Sequence, residues 1–90
     1  MSDIGCKVIV TGHVQGVGFR YFTLKEAQLY GLTGHAKNLN NGNVEVLLYG
    51  DRDDIDKMVK WLSMGPKTAR VDEVQVTEVP YCEELDFNCG

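Results

Sequence analysis

The order in which extended and helical segments follow one another is the feature that most constrains the fold of this chain. Residues 6–11 alternate between two faces and are rich in β-branched side chains, which predicts a strand. Thr23, Ala27 and Tyr30 then recur at helical spacing, so a helix is predicted over about residues 20–30. Phe19 and Phe22 are expected one turn earlier on the same buried side. Extended runs on both sides of the Asn-Asn-Gly-Asn sequence at residues 40–43 predict a hairpin, because these residue types favour a turn.

The second half of the sequence again places a helical segment before an extended one. Asp51 or Asp53 is suited to cap the N-terminus of a helix. The predicted helix carries an apolar stripe at i, i+3, i+4 and i+7, formed by Ile55, Met58, Val59 and Leu62. Residues 71–79 then predict a fourth strand, with Val74 and Val76 facing inward.

The resulting order, β-α-β-β-α-β, predicts an α+β fold. Right-handed crossovers place both helices on one face of an antiparallel sheet, which is the ferredoxin-like sandwich. Residues 85–88 suit a short fifth strand, and we expect residues 1–90 to form a single domain. Because this fold carries many functions, including RNA binding, the fold alone does not indicate an activity.

Composition and charge exclude several classes of protein. The longest apolar runs contain four or five residues, whereas a membrane-spanning helix needs about 20, and the N-terminus has no secretion-signal pattern. We therefore expect a cytoplasmic protein that does not contact membranes. The net charge of −4 argues against nucleic-acid binding. Residues 1–50 hold four basic and three acidic residues, and residues 51–90 hold five basic and ten acidic ones, so the first half is better suited to bind an anion.

The three cysteines do not indicate a metal site. Cys6, Cys82 and Cys89 form no Cys-x-x-Cys pair, and neither His13 nor His35 lies at ligand spacing from them. We expect Cys6 to be a packed strand residue and the other two to be surface thiols, although the sequence leaves a bridge between Cys82 and Cys89 open.

The segment from Thr11 to Arg20, TGHVQGVGFR, is the clearest candidate site. It joins the first predicted strand to the first predicted helix, and Gly16 and Gly18 leave its backbone N–H groups unobstructed. The positive end of the helix dipole and the planar donor fork of Arg20 both favour an oxyanion. A plain turn with a surface arginine is the alternative, but the combination of features favours oxyanion binding.

This segment resembles the acylphosphatase signature GxVQGVxFR. The similarity continues in matching order over about residues 6–79, including Gly31-Leu32-Thr33-Gly34, Lys37-Asn38 and Gly65-Pro66. Acylphosphatases are small βαββαβ hydrolases that split a carboxyl–phosphate anhydride into a carboxylate and inorganic phosphate. The chain departs from the family pattern at His35, where an aromatic residue is frequent, and in its C-terminal tail.

The resemblance implies a set of site residues. It assigns the essential arginine to Arg20, the water-orienting asparagine to Asn38, and the phosphate-binding loop to Gln15, Gly16, Val17, Gly18, Phe19 and Arg20. Since a carboxylate is a good leaving group, positioning and charge stabilisation suffice, and we expect no metal ion, no cofactor and no phosphoenzyme. Lys37 is left out because it points to the strand face opposite Asn38.

Two other classes of function are open at this point. The chain could be a non-catalytic anion-binding module, since similar modules occur in larger enzymes that handle carbamoyl phosphate. It could also be an RNA-binding module, although residues 44–49 lack the exposed aromatic pair and basic flank of an RNP motif. We expect a monomer, because no surplus apolar face is evident.

Overall fold

The computed structural model describes residues 3–89, and for residues 88 and 89 the backbone alone. Its elements in chain order are β1 (Asp3–His13), α1 (Phe19–Leu29), β2 (Thr33–Asn38), β3 (Val44–Asp51), α2 (Arg52–Met64), β4 (Arg70–Val79) and β5 (Phe87–Cys89). The predicted β-α-β-β-α-β order is confirmed, and β1 extends beyond the predicted residues 6–11 at both ends.

The strands form one sheet in the order β4-β1-β3-β2-β5. The pairs β1–β3, β1–β4 and β2–β3 are antiparallel, as a ferredoxin-like sheet requires. The predicted fifth strand is also present, but it lies at residues 87–89 and runs parallel to β2 at the sheet edge. The ferredoxin-like α+β prediction is therefore confirmed.

The core lies between the two helices and one face of the sheet. Val8 is opposite Val46 on β3, and directly opposed residues in antiparallel strands point to the same face. Both valines are completely buried, as are Met58 and Leu62 from the predicted stripe of α2. Burial of each such side chain contributes about 1.5–3 kcal/mol, so this layer holds the helices against the sheet.

Two predicted core positions are exposed instead. Val76 is opposite Val8 and so faces the helices, but β4 is the edge strand, and 49% of Val76 remains accessible. Its neighbour Val74 packs only partly against the core. Phe22 was expected on the buried side of α1, yet it is 39% exposed, and a Cβ added at Gly18 would come within 3.4 Å of its ring.

The other face of the sheet carries a charged cluster. His35 Nε2 lies 2.9 Å from Glu45 Oε2, and Lys37 Nζ lies 3.8 Å from the same oxygen. The hydrogen bond with His35 lowers the pKa of Glu45 below its ordinary value, and Lys37 acts in the same direction against the effect of partial burial. This cluster joins β2 to β3 on the face away from the helices.

The thiol predictions hold where the structure describes them. Cys6 is buried and free, while Cys82 is exposed and free; the side chain of Cys89 lies outside the described residues. Burial raises the pKa of the Cys6 thiol, and Glu78 and Asp56 add to the effect. Within residues 3–89, neither helix has the length and apolar content needed to cross a bilayer.

Candidate active site

The loop between β1 and α1 is shaped by two glycines in the left-handed region. Gly16 has a φ of 76° and Gly18 a φ of 78°, a conformation that costs other residues roughly 1–2 kcal/mol. Gly18 is also the N-cap of α1, where no side chain caps the helix and the first turn contains no acidic residue. The N–H groups at this end of α1 are therefore not neutralised by a carboxylate of the helix itself.

Side-chain hydrogen bonds tie this loop to two other parts of the chain. Gln15 Nε2 donates to Leu39 O at 2.8 Å and to Asn43 O at 2.9 Å, which ties the loop to the β2–β3 turn. Thr68 Oγ1 donates to Val17 O at 2.8 Å and ties it to the segment before β4. These long-range bonds fix the loop relative to β2, the strand that carries Asn38.

Packing beneath the loop is apolar. Val14 and Phe19, which flank the glycines, are each only 1% exposed. The ring of Phe19 lies 6.2 Å from that of Trp61 on α2, measured between centroids. Trp61 is itself partly buried against the core. The start of α1 is thus anchored to the core through Phe19, and the neighbouring Arg20 is positioned by that anchor.

Asn38 reaches the same region from the last residue of β2. It is opposite Val44 and shares its strand face with the buried Ala36, so it lies on the side of the sheet that the helices cover. At the strand end that cover stops, and Asn38 is exposed. Lys37 points to the opposite face, where it approaches Glu45, as the strand alternation predicts.

One pocket of about 290 Å³ lies where the loop, α1 and β2 meet. It is lined by Val14, Gly16, Gly18, Phe19, Arg20, Tyr21 and Asn38. Five of the seven predicted site residues are therefore brought together. Gln15 and Val17 are not among the lining residues, and their side-chain and carbonyl bonds brace the loop instead.

Sequence reasoning did not single out Tyr21, which also lines the pocket. Its position directly after Arg20 in the first turn of α1 was the available signal. His13, by contrast, is the exposed last residue of β1 and does not line the pocket. Among the residues that the structure describes, no three His, Cys, Asp or Glu side chains cluster as metal ligands would.

Comparison with known proteins decides the family. The family model described as acylphosphatase matches residues 6–89. The chain belongs to the acylphosphatase family. The resemblance seen in the signature segment is thereby confirmed over nearly the whole chain, and the family assigns the chain hydrolase activity toward small acyl phosphates.

Individual relatives agree with the family. The chain is 61% identical to an acylphosphatase of Psychromonas ingrahamii over 87 residues, which cover 97% of each chain. The structure of an acylphosphatase from Coxiella burnetii is similar with a TM-score of 0.94 and 39% identity, covering 98% of this chain and 93% of that one. The crystal structure of the acylphosphatase from Bacillus subtilis is similar with a TM-score of 0.92 and 35% identity, covering 97% of this chain and 98% of that one. These matches favour the enzyme over the RNA-binding and non-catalytic alternatives.

Proposed function

We propose that the chain cleaves the carboxyl–phosphate anhydride of acyl phosphates by in-line attack of water, without a metal ion or cofactor. In this mechanism the loop of residues 15–20 and the guanidinium of Arg20 hold the phosphoryl group, and Asn38 positions the water. The observation that carries the proposal is the pocket itself, in which the start of α1, Arg20 and Asn38 share one cavity. Residues so distant in sequence meet there because the loop is braced on the β2–β3 turn.

The phosphoryl oxygens would be bound at the first turn of α1. The backbone N–H groups and the helix dipole attract negative charge, and Arg20 offers two parallel donors to a pair of oxygens. No acidic residue in the first turn competes for this position. As charge shifts on the phosphoryl oxygens in the transition state, these fixed donors stabilise it without reorganising.

The reaction needs little proton transfer from the protein. The oxygen of water forms a bond to phosphorus, the bond between phosphorus and the acyl oxygen breaks, and its electron pair leaves with the carboxylate. The proton released by water passes to a phosphoryl oxygen, which yields inorganic phosphate. A carboxylate whose acid has a pKa of about 4–5 leaves without a general acid. Hydrolysis is accordingly expected to persist in excess chelator, and its loss there would contradict the metal-free mechanism.

Asn38 would act on the attacking water. Its side-chain oxygen accepts a hydrogen bond from the water and aligns the nucleophile with the scissile bond. An exposed amide at a strand end is suited to this role, because the water reaches it from solvent while the strand fixes its backbone.

Replacement of Arg20 tests the phosphate site. Arg20→Gln should lower kcat/KM for benzoyl phosphate at least about 100-fold and remove inhibition by inorganic phosphate, because the charged donor fork is lost. Arg20→Lys keeps the charge but lacks the planar pair of donors, so its kcat/KM should lie between those of the wild type and Arg20→Gln. Inhibition by phosphate at wild-type strength in Arg20→Gln would contradict the assignment.

Replacement of Asn38 tests the water site. Asn38→Ala should lower kcat about 100-fold or more while the inhibition constant of phosphate stays near its wild-type value, since the phosphate donors are untouched. Lys37→Ala is the matched control, because Lys37 is adjacent in sequence but lies on the other face of β2. A variant at Asn38 with weakened phosphate binding and unchanged kcat would remove the proposed role.

We further propose that residues 1–90 act as one domain, as a monomer in the cytoplasm, with no nucleic-acid or membrane partner. The single sheet formed by the described residues and the net charge of −4 support this proposal. Sedimentation at micromolar concentration tests the monomer, and a stable dimer would contradict it.

A further inference from the structure

An acyl phosphate presents three parts to its enzyme: the phosphoryl group, the line of attack of water, and the acyl group. Of the side chains that line the pocket, Val14 and Phe19 are buried, which leaves Arg20, Asn38 and Tyr21 to reach the ligand. Under the proposed function Arg20 holds the phosphoryl group and Asn38 holds the water. Tyr21 is the remaining side chain at the mouth of the pocket.

The ring of Tyr21 is exposed but not isolated. It is 56% accessible, and its centroid lies 5.6 Å from that of Phe22 with the two rings at 71°. Lys25 Nζ lies 5.8 Å from the centroid of Tyr21, one helical turn further along α1. Phe22 in turn lies against the loop, since a side-chain atom added at Gly18 would come within 3.4 Å of its ring. The two aromatic rings therefore connect the phosphate loop to the rim of the pocket.

We infer that Tyr21, supported by Phe22 and Lys25, is the surface on which the acyl group of the substrate packs, and that it favours flat aromatic acyl groups over small aliphatic ones. This inference rests on the proposed function, because the position of the phosphoryl group decides where the acyl group lies. It names the specificity of that site and adds no catalytic step.

Geometry and chemistry both support this role for Tyr21. Consecutive helical residues are rotated by about 100° around the helix axis. The side chain of Tyr21 therefore points in a different direction from that of Arg20, although the two residues are adjacent in the first turn of α1. In an in-line displacement the leaving group departs on the side opposite the water, so the acyl group lies away from Asn38.

The ring of Tyr21 is an apolar surface beside the two polar side chains of the pocket, those of Arg20 and Asn38. Aromatic rings attract one another beyond the effect of area alone, whereas an acetyl group covers little of such a surface. An aromatic acyl group thus gains a contact at this ring that a small aliphatic group does not.

The test measures the preference of each variant for an aromatic over a small aliphatic substrate, rather than its overall activity. The ratio of kcat/KM for benzoyl phosphate to that for acetyl phosphate should fall about 2- to 10-fold in Tyr21→Ala and stay near wild type in Tyr21→Phe. Inhibition by inorganic phosphate, which has no acyl group, should be unchanged in both. Tyr81→Ala is the matched control, because Tyr81 is a comparably exposed tyrosine that does not line the pocket, and it should leave the ratio unchanged.

Each result has a single reading. An unchanged ratio in Tyr21→Ala, or an equal loss for both substrates, would overturn the inference, because Tyr21 would then be inert or merely support the loop. Neither failure bears on the phosphate site at Arg20, so both are distinguishable from failure of the proposed function. The latter would appear as wild-type phosphate inhibition in Arg20→Gln.

Discussion

The two helices of this molecule begin in opposite ways. At α2, the carboxylate of Asp51 accepts from Asp53 N at 2.9 Å, and Asp53 and Asp54 place negative charge in the first turn. At α1, the N-cap is Gly18, no side chain caps the helix, and no acidic residue lies in the first turn. The N-terminus of α2 is thus satisfied by its own residues, whereas that of α1 faces the pocket.

This difference separates a structural helix start from one suited to bind a ligand. Capping by an aspartate contributes about 1 kcal/mol to stability and occupies the N–H groups that an anion would need. The loop before α1 instead obtains its rigidity from elsewhere, through Gln15 and Thr68. Preorganised donors that remain available are what stabilisation of a phosphoryl group requires.

The largest effect is expected when an acidic residue is placed at the N-terminus of α1, as at α2. Gly18→Asp should weaken inhibition by phosphate at least tenfold more than Gly18→Asn, because a like charge at about 4 Å opposes the ligand by several kcal/mol at an effective dielectric of 20. The two variants share size, backbone strain and the close approach to Phe22, and they differ in charge and in one polar atom of the side chain. Equal inhibition constants in the two variants would count against an anion site at this helix end.

Removal of the cap of α2 should lower stability and leave phosphate binding unchanged, the reverse of the effect expected at α1. Asp51→Ala is expected to lower the free energy of unfolding by about 1 kcal/mol, since Asp53 N loses its acceptor, while Asp51→Asn keeps an acceptor oxygen and most of the stability. Chemical denaturation measures the difference. Phosphate inhibition and kcat/KM should be unchanged in both variants, and a large loss of activity without loss of stability would mean that α2 contributes to the site.

The smallest effect on stability is expected at Glu45. Its carboxylate, like that of Asp51, has its partners within the protein, here His35 and Lys37. Its pKa is lowered in the folded state by His35, so its stabilisation is present above its ordinary pKa of about 4.5 and is lost as pH falls through the lower folded value. The difference in free energy of unfolding between wild type and Glu45→Gln should be roughly 0.2–1 kcal/mol at neutral pH.

The lowered pKa of Glu45 also predicts how the difference in free energy of unfolding between wild type and Glu45→Gln depends on pH. The difference should shrink as the pH falls below about 4.5, as measured by denaturation at several pH values. A difference that stays undiminished once the pH is low enough to protonate the carboxylate would contradict the assigned interaction. Activity at neutral pH should not change, since Glu45 lies on the sheet face opposite the helices.

The fold was largely predictable because its signals are local. The apolar stripe of α2, the aspartate cap and the hairpin turn each lie within a few residues, and right-handed crossovers place both helices on one face of the sheet. Exposure of Val76 was not predictable from alternation, which gives the face but not whether a helix covers it. The position of β5 was equally hidden, because its pairing with β2 depends on contacts far along the chain.

Five of the seven site residues expected from the sequence line one pocket, but the sequence did not reveal how the loop is held. Glycines followed by an arginine indicate anion chemistry, and family resemblance supplied Asn38. The bracing role of Gln15 could not be read from sequence, because its partners Leu39 and Asn43 lie 24 and 28 residues away. Tyr21 was missed because an exposed aromatic residue on a helix has no pattern that separates a pocket wall from ordinary surface.

The central claim is that the loop before α1, and not another helix end, receives the phosphoryl group. Titration of the isotope-labelled protein with inorganic phosphate, followed by amide chemical shifts, tests it directly. The account predicts saturable shifts at Gly16, Gly18 and Arg20, none at Asp53 and Asp54, and their disappearance in Arg20→Gln. Absence of shifts in the loop, or equal shifts at the start of α2, would contradict it.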